Sequence, residues 1–116
     1  MIDIRRGDIV LANLPKELCV QGGIRPAIVI QNDTGNGFSP TTIIVPLTSE
    51  IKKVNMPVHE IVRTEDASGL NVDSMALCEQ IRTIDKRKIK KILGKIHDDA
   101  VLEKVSMACK ISLDLV

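Results

Sequence analysis

The chain has 116 residues, 44% of them hydrophobic, which suits a single domain over residues 1–116 and leaves little apolar material for a second core. Its 16 basic and 15 acidic residues give a net charge of +1, so charge alone indicates no polyanionic partner. No apolar run approaches the roughly 18 residues that cross a bilayer. Three widely spaced cysteines, with no CxxC pair and no secretory leader, favour reduced thiols; we expect a soluble, cytoplasmic protein.

The first two thirds of the chain consist mainly of short β-prone segments. Between the first two, the segment from Pro15 to Arg25 contains proline and two glycines and predicts a long loop. In the third, Pro46 lacks an N–H and indicates an edge, an end or a bulge. The predicted strands are DIVLANL (8–14), PAIVIQND (26–33), TTIIVPLTS (41–49), PVHEIV (57–62) and SMALCEQIRTI (74–84).

The last third changes to a helical period. Asp85 occupies an N-cap position before KRKIKKILG, which predicts a short helix over 86–94 that stops at Gly94. With Ile89 facing inward, its basic residues spread over solvated sides, so this cluster has only a peripheral role in any nucleic-acid contact. Asp98 and Asp99 begin a second helix, whose apolar stripe is Val101, Leu102, Val105, Ala108, Cys109, Ser112 and Leu113.

These elements predict a mainly β fold with C-terminal helices. Five short strands joined by long loops suggest a small, strongly bent antiparallel barrel, in which the curled sheet limits open edges. The activity would then lie in the loops.

Metal and thiol chemistry find little support in the sequence. His59 and His97 lie far apart without ligands at metal-binding spacing, so both are expected to be structural or solvated, and no metal or cofactor is expected. Nothing flanks the cysteines that would mark a reactive thiol. Phe38, the single aromatic residue, is expected in the core or as a loop anchor, with base stacking as the alternative.

The segment QGGIRP is the most specific feature. Its glycines allow unusual dihedral angles and close approach to a ligand, while Pro26 biases Arg25 toward an extended conformation. A guanidinium held in this way is suited to gripping a phosphate and to stabilising negative charge that develops on it. A surface arginine in a salt bridge explains the spacing equally well.

The motifs RRGDIV, QGGIRPAIVIQND, FSPTTIIVPLTS, CEQIRTIDK and KISL, in that order and over essentially the whole chain, resemble the MazF/PemK family of toxin endoribonucleases. The resemblance implies a homodimer of SH3-like barrels that cleaves single-stranded RNA, such as mRNA, without a metal and is inhibited by a MazE-like antitoxin. It also implies that Arg25 and Thr48 form the catalytic pair. On the same basis, the RNA groove would include Gln21, Gly22, Asn32 and Gln80.

Several points of chemistry stay open at this stage. Arg25 would stabilise the phosphorane-like state during attack by the 2′-hydroxyl, and Thr48 would hydrogen-bond the same phosphate. The general base is Arg25 itself, another group such as Glu79, or water. Relatives often carry a serine and an acid before QGG, where this chain has Cys19 and Val20. The alternative function is a non-catalytic, CcdB-like toxin or binding module that acts on a protein.

Overall fold

A computed structural model describes residues 2–17 and 21–116. Cys19 and Val20 lie outside the described residues. No helix in the described ranges is long and apolar enough to cross a membrane. The helices are α1 (Asp33–Phe38) and α2 (Asp99–Ser112). The strands are β1 (Asp8–Leu14), β2 (Gly23–Val29), β3 (Thr41–Thr48), β4 (His59–Val62), β5 (Ser74–Leu77), β6 (Arg82–Asp85) and β7 (Ile89–Lys95).

The strands form one antiparallel sheet in the order β4-β5-β3-β2-β1-β7, and β6 pairs with β3 beside this path. The predicted class, mainly antiparallel β with a carboxy-terminal helix, is therefore confirmed. The prediction of a barrel is wrong in one respect, because the sheet does not close. The outer strands of the sheet are β4 and β7. After β4 the chain forms a 3₁₀ turn, Thr64–Asp66, and then an isolated bridge joins Ala67 to Ile96, the residue that follows β7.

The predicted strands differ from the observed ones mainly at their ends. The first strand has the predicted bounds, whereas the second begins earlier, at Gly23, and ends at Val29. The segment 74–84 is divided by a 3₁₀ turn, Cys78–Gln80. No sequence pattern predicted α1, which starts because the Asn32 side chain accepts a hydrogen bond from the Gly35 amide at 2.8 Å.

The helix predicted over 86–94 is wrong. Asp85 does cap a helical turn, since its carboxylate accepts a hydrogen bond from the Arg87 amide at 2.8 Å, but that turn is a three-residue 3₁₀ helix, Lys86–Lys88. The chain then continues as β7 because it supplies the second partner of β1. Lys86 is buried rather than solvated, and its ammonium group donates to the Asn36 carbonyl.

Two prolines in the sheet have different effects on its ladders. Pro46 lies where β3 changes its partner from β6 to β5, so its missing N–H interrupts neither ladder. Just after β2, the amide of Ile30 donates to the carbonyl of Ile43 in β3. Because the direction of the backbone N–H alternates along a strand, the nitrogen of Pro26 also faces β3. Because Pro26 has no N–H to donate, the β2–β3 ladder ends at the pair Ala27–Pro46. A notch follows between the first half of β2 and the end of β3.

Apolar side chains fill both faces of the sheet. One cluster lies between the sheet and α2, where Val105, Ala108 and Cys109 are buried, as the predicted stripe requires. The other cluster packs around Ile4, Val10 and Ile44 on the opposite face. Phe38, expected in the core or as an anchor, is 90% exposed, so these clusters consist of aliphatic residues and cysteines, without an aromatic side chain.

The loop after the bridge docks closely on β7 through two glycines. A Cβ on Gly69 would lie 2.2 Å from the Leu93 carbonyl oxygen, and Gly69 also has a φ of +81°. A Cβ on Gly94 would lie 2.2 Å from the Ser68 carbonyl oxygen. Glycine at both positions therefore allows backbone to pack against backbone, and this contact positions the loop 69–72 beside the notch.

The substitution Gly94→Ala should destabilise the protein by about 1–3 kcal/mol, because the added methyl overlaps the Ser68 backbone. The measurement is chemical denaturation. Gly37→Ala serves as the control, since no atom lies within 4 Å of its added Cβ and alanine favours the helix by about 0.5–1 kcal/mol. Equal stability of the two variants would contradict the docking described above.

Candidate RNA-cleavage site

The notch between β2 and β3 opens into a cavity of about 660 Å³. Its apolar lining is Leu11, Pro26, Leu47, Leu70, Val72 and Leu93. Polar and charged residues also line it, including Gln21, Arg25, Thr48, Glu50, Asn71 and Lys91. An apolar interior with a few convergent polar groups is typical of a ligand-binding site.

Arg25 is held in place by the backbone of the preceding loop. Its Nε donates to the Gly22 carbonyl oxygen at 2.9 Å, which leaves both terminal nitrogens of the guanidinium for other partners. Glycine at position 22 allows the loop to pack against the Lys16 backbone, because a Cβ there would lie 2.4 Å from the Lys16 Cα. Gly23 supplies the bend, with a φ of +84°. Gly22 and Gly23 therefore shape the bend that holds the Arg25 side chain in place.

Gln21 is clamped by the segment EQIR, more than 50 residues along the chain. Its amide donates to Gln80 Oε1 at 2.9 Å, and its carbonyl accepts a hydrogen bond from the guanidinium of Arg82. Arg82 also donates to the Pro15 carbonyl at 3.2 Å, so it ties both ends of the loop to β6. Gln80 and Arg82 thus fix the backbone from which Arg25 projects.

Arg82 is partly buried and has charged neighbours of both signs. Burial lowers the pKa of Arg82, the carboxylate of Glu17 raises it, and the positive charge of Arg25 lowers it further. The effect of Arg25 means that the two guanidinium groups lie within electrostatic range of each other. The Glu17 carboxylate offsets part of the positive charge that the two guanidinium groups place beside this loop.

Thr48 is the last residue of β3 and is almost completely buried. Continuing the β2–β3 register past the pair Ala27–Pro46 would set Thr48 opposite Arg25. The Thr48 hydroxyl accepts a hydrogen bond from the Glu50 amide at 3.1 Å. Because that bond uses a lone pair, the hydroxyl proton remains available for donation to a ligand.

The structure brings together most of the residues predicted for the site, but not all. Arg25, Thr48 and Gln21 line the cavity, Gly22 binds Arg25, and Gln80 binds Gln21 from an adjoining depression. Asn32 lies beyond the opposite end of β2, and its side chain caps α1. An RNA contact at Asn32 stays a prediction and would belong to a separate part of the surface.

The remaining candidate chemical groups lie outside the cavity. His59 lies 2.6 Å from Glu79 through Nε2 and 3.1 Å from the Lys53 carbonyl through Nδ1, so the ring has a structural place. Glu79 lines the adjoining depression. The hydrogen bond to Cys109 and burial both raise the pKa of the Cys78 thiol, which lies in the core. In residues 2–17 and 21–116, no three of the His, Cys, Asp and Glu side chains cluster as metal ligands.

Sequence reasoning missed three contributors to this region. Arg82 lies in the EQIR motif but was assigned no role, and Glu50 follows Thr48 by two residues. Lys91 was placed on a solvated helix, whereas it lies in β7 and lines the cavity. A strand interpretation of KRKIKKILG would have identified it, because the mixed lysine and isoleucine pattern also suits an edge strand.

Comparisons with known proteins agree with the geometry. Residues 5–113 match the model of a family described as the PemK-like, MazF-like toxin of type II toxin-antitoxin system. A crystal structure of MazF from Deinococcus radiodurans is 26% identical, with a TM-score of 0.81, covering 98% of this chain and 99% of that one.

Two structures of complexes also share the fold. A MazE-MazF structure from Deinococcus radiodurans is 24% identical with a TM-score of 0.77, and the match covers 100% of both chains. An endoribonuclease in complex with its cognate antitoxin, from a mycobacterial species, is 20% identical with a TM-score of 0.76, covering 97% of both chains. These two likenesses establish the similarity of fold.

The clamp on Gln21 predicts a change in amide exchange. In Gln80→Ala the Gln21 amide loses its acceptor, and its hydrogen-exchange rate, measured by NMR, should rise about five- to tenfold, as the loss of about 1 kcal/mol requires. Gln31→Ala is the control, because that side chain contacts Asn36 and Thr41 at the other end of the sheet. An unchanged Gln21 rate in Gln80→Ala would show that the clamp does not hold the loop.

Proposed function

This chain belongs to the family of PemK-like, MazF-like toxins of type II toxin-antitoxin systems, and we propose that it is a sequence-specific endoribonuclease that cleaves single-stranded RNA without a metal ion. The observation that carries the proposal is the shared cavity: Arg25, fixed by Gly22, and Thr48, fixed by the Glu50 amide, line one cleft. Solved relatives named as endoribonucleases have the same fold.

In the proposed reaction, the substrate supplies its own nucleophile. The 2′-hydroxyl oxygen forms a bond to the neighbouring phosphorus, and the bond from phosphorus to the 5′-oxygen breaks. One fragment ends in a 2′,3′-cyclic phosphate, which water opens to a 3′-phosphate, and the other begins with a 5′-hydroxyl. The protein must therefore align the attack, stabilise the extra negative charge and permit two proton transfers.

Arg25 and Thr48 have different roles at the phosphate. The terminal nitrogens of Arg25, which have no hydrogen-bond partner among residues 2–17 and 21–116, suit bidentate contact with the phosphoryl oxygens, on which charge grows during the reaction. The hydroxyl proton of Thr48 donates to the same phosphate and fixes its orientation. Glu79 is paired with His59 outside the cavity, which argues against Glu79 as the acceptor of the 2′-hydroxyl proton and leaves Arg25 and water as the candidates.

Cleavage in the presence of EDTA tests this function. Purified protein incubated with a long unstructured RNA should cut at discrete positions and leave 5′-hydroxyl ends, because the proposed chemistry uses no metal. Arg25→Ala should lower the rate about 100-fold or more, as the loss of a group that stabilises developing charge usually does. Arg87→Ala is the matched control, since Arg87 is exposed and paired with Asp85.

Two outcomes would contradict the proposal. Folded wild-type protein that makes no cuts would favour the alternative, a non-catalytic toxin that acts on a protein. Full activity in Arg25→Ala would place the catalytic group elsewhere. Thr48→Ser should keep most of the activity and Thr48→Val should lose it, because valine preserves the β-branched shape but cannot donate.

We also propose the partners of this toxin. By analogy with the MazE-MazF complex of Deinococcus radiodurans, a MazE-like antitoxin binds it and blocks cleavage. It acts as one domain per chain in a homodimer, in the cytoplasm where mRNA is translated. The exposed apolar residues that follow α2 support a protein partner, since Leu113, Leu115 and Val116 are 55%, 68% and 68% exposed.

Light scattering at micromolar concentration tests the homodimer. The expected mass is about 25 kDa, twice the 12.7 kDa of one chain. Leu115→Lys should weaken the dimer by placing a charge in the apolar patch, whereas Val54→Lys, at a similarly exposed apolar residue, should not. A wild-type protein that remains monomeric throughout would refute the homodimer.

A further inference from the structure

Lys91 reaches the cavity because β7 pairs irregularly with β1. The register shifts twice, between Ile9 and Val10 and between Leu11 and Ala12, and between these shifts Lys91 stands opposite Leu11. On its other side, Leu11 pairs with Pro26 of β2. Cross-strand neighbours project from the same face of a sheet. Lys91, Leu11 and Pro26 therefore form a row that leads directly into the cavity.

The charge of Lys91 is available for a ligand. Within residues 2–17 and 21–116, the ion pairs formed at 4 Å or less do not include Lys91. The ionisable side chains that line the cavity within those residues are Arg25, Lys91 and Glu50, so cations outnumber anions two to one. On a chain whose net charge is only +1, this local excess favours a polyanion in the cavity.

The position of Lys91 separates its role from that of Arg25. One strand, β1, lies between β7 and β2, which sets their backbones two strand spacings apart, or about 10 Å. A lysine is a flexible point charge that neutralises a phosphate without fixing its geometry, whereas the fork of an arginine contacts a phosphate bidentately. The two cations thus suit two different phosphates of one RNA strand.

We propose that Lys91 binds the RNA backbone at a phosphodiester next to the one that is cleaved. Its contribution is to affinity, so the loss of Lys91 raises KM and leaves kcat nearly unchanged. The cleavage part of this assignment rests on the proposed endoribonuclease function, whereas the binding part does not.

The test measures binding without cleavage. The probe is a fluorescein-labelled pool of random 12-nucleotide RNA with 2′-O-methyl groups, which cannot supply the attacking hydroxyl, and anisotropy is followed at several salt concentrations. Lys91→Gln should weaken binding about five- to tenfold at low salt and reduce the slope of log K against log salt by about 0.7, the value for one phosphate on a single strand. Lys91→Arg should restore both quantities, because it restores the charge.

Lys90→Gln is the matched control, since Lys90 neighbours Lys91 in the exposed part of β7 but does not line the cavity. A slope in Lys91→Gln equal to that of Lys90→Gln would overturn the proposal, as would wild-type protein that does not bind the pool. Wild-type protein that binds the pool with the predicted Lys91 dependence but leaves ordinary RNA uncut would contradict only the nuclease function. In cleavage assays, a fall in kcat with unchanged KM for Lys91→Gln would also overturn the proposal that Lys91 binds the RNA backbone.

Discussion

The missing N–H of Pro26 is the constraint on which the rest of the site depends. An antiparallel ladder between β2 and β3 would otherwise continue past the pair Ala27–Pro46 and seal the two strands together. Without a donor at Pro26 the strands part, and the space between them becomes the cavity that Arg25 and Thr48 line. The same ring restricts the backbone of Arg25. One residue type thus opens the cleft and stiffens the segment that carries its cation.

Rigidity around the cleft comes from segments that are distant in sequence. Gln80 and Arg82 supply hydrogen bonds to the backbone of Gln21, in the loop that ends in two glycines. Such bonds to main-chain groups position the loop without depending on what its side chains are. The opposite wall depends on the contact between Gly94 and Ser68. A phosphate in the cleft would therefore meet groups whose positions are largely fixed before it binds, which reduces the cost of organising them.

Local patterns in the sequence predicted the elements that depend on local forces. The first strand follows from its β-branched composition. The helix α2 follows from an N-cap and from a stripe of residues that repeats with the 3.6-residue period of a helix. The helix predicted over 86–94 was wrong because Asp85 does cap a helical turn, but only a short one. The pairing with β1 that makes the rest of the segment a strand is a long-range contact. The segment QGGIRP identified Arg25 as a candidate, whereas Thr48 came from the family resemblance, since nothing local distinguishes it from an ordinary strand residue. Lys91 and Arg82 could not be placed without the register of β7 and the path of the loop.

The central claim is that one phosphate in the cleft contacts both Arg25 and Thr48. The most direct measurement is a crystal structure of the protein with an oligonucleotide that spans its mapped cleavage site and carries a 2′-deoxy sugar at the point of attack. We expect the scissile phosphate to accept hydrogen bonds from a terminal nitrogen of Arg25 and from Oγ1 of Thr48, at about 2.7–3.1 Å. A scissile phosphate bound outside this cleft, with Arg25 and Thr48 in contact only with protein, would contradict the account.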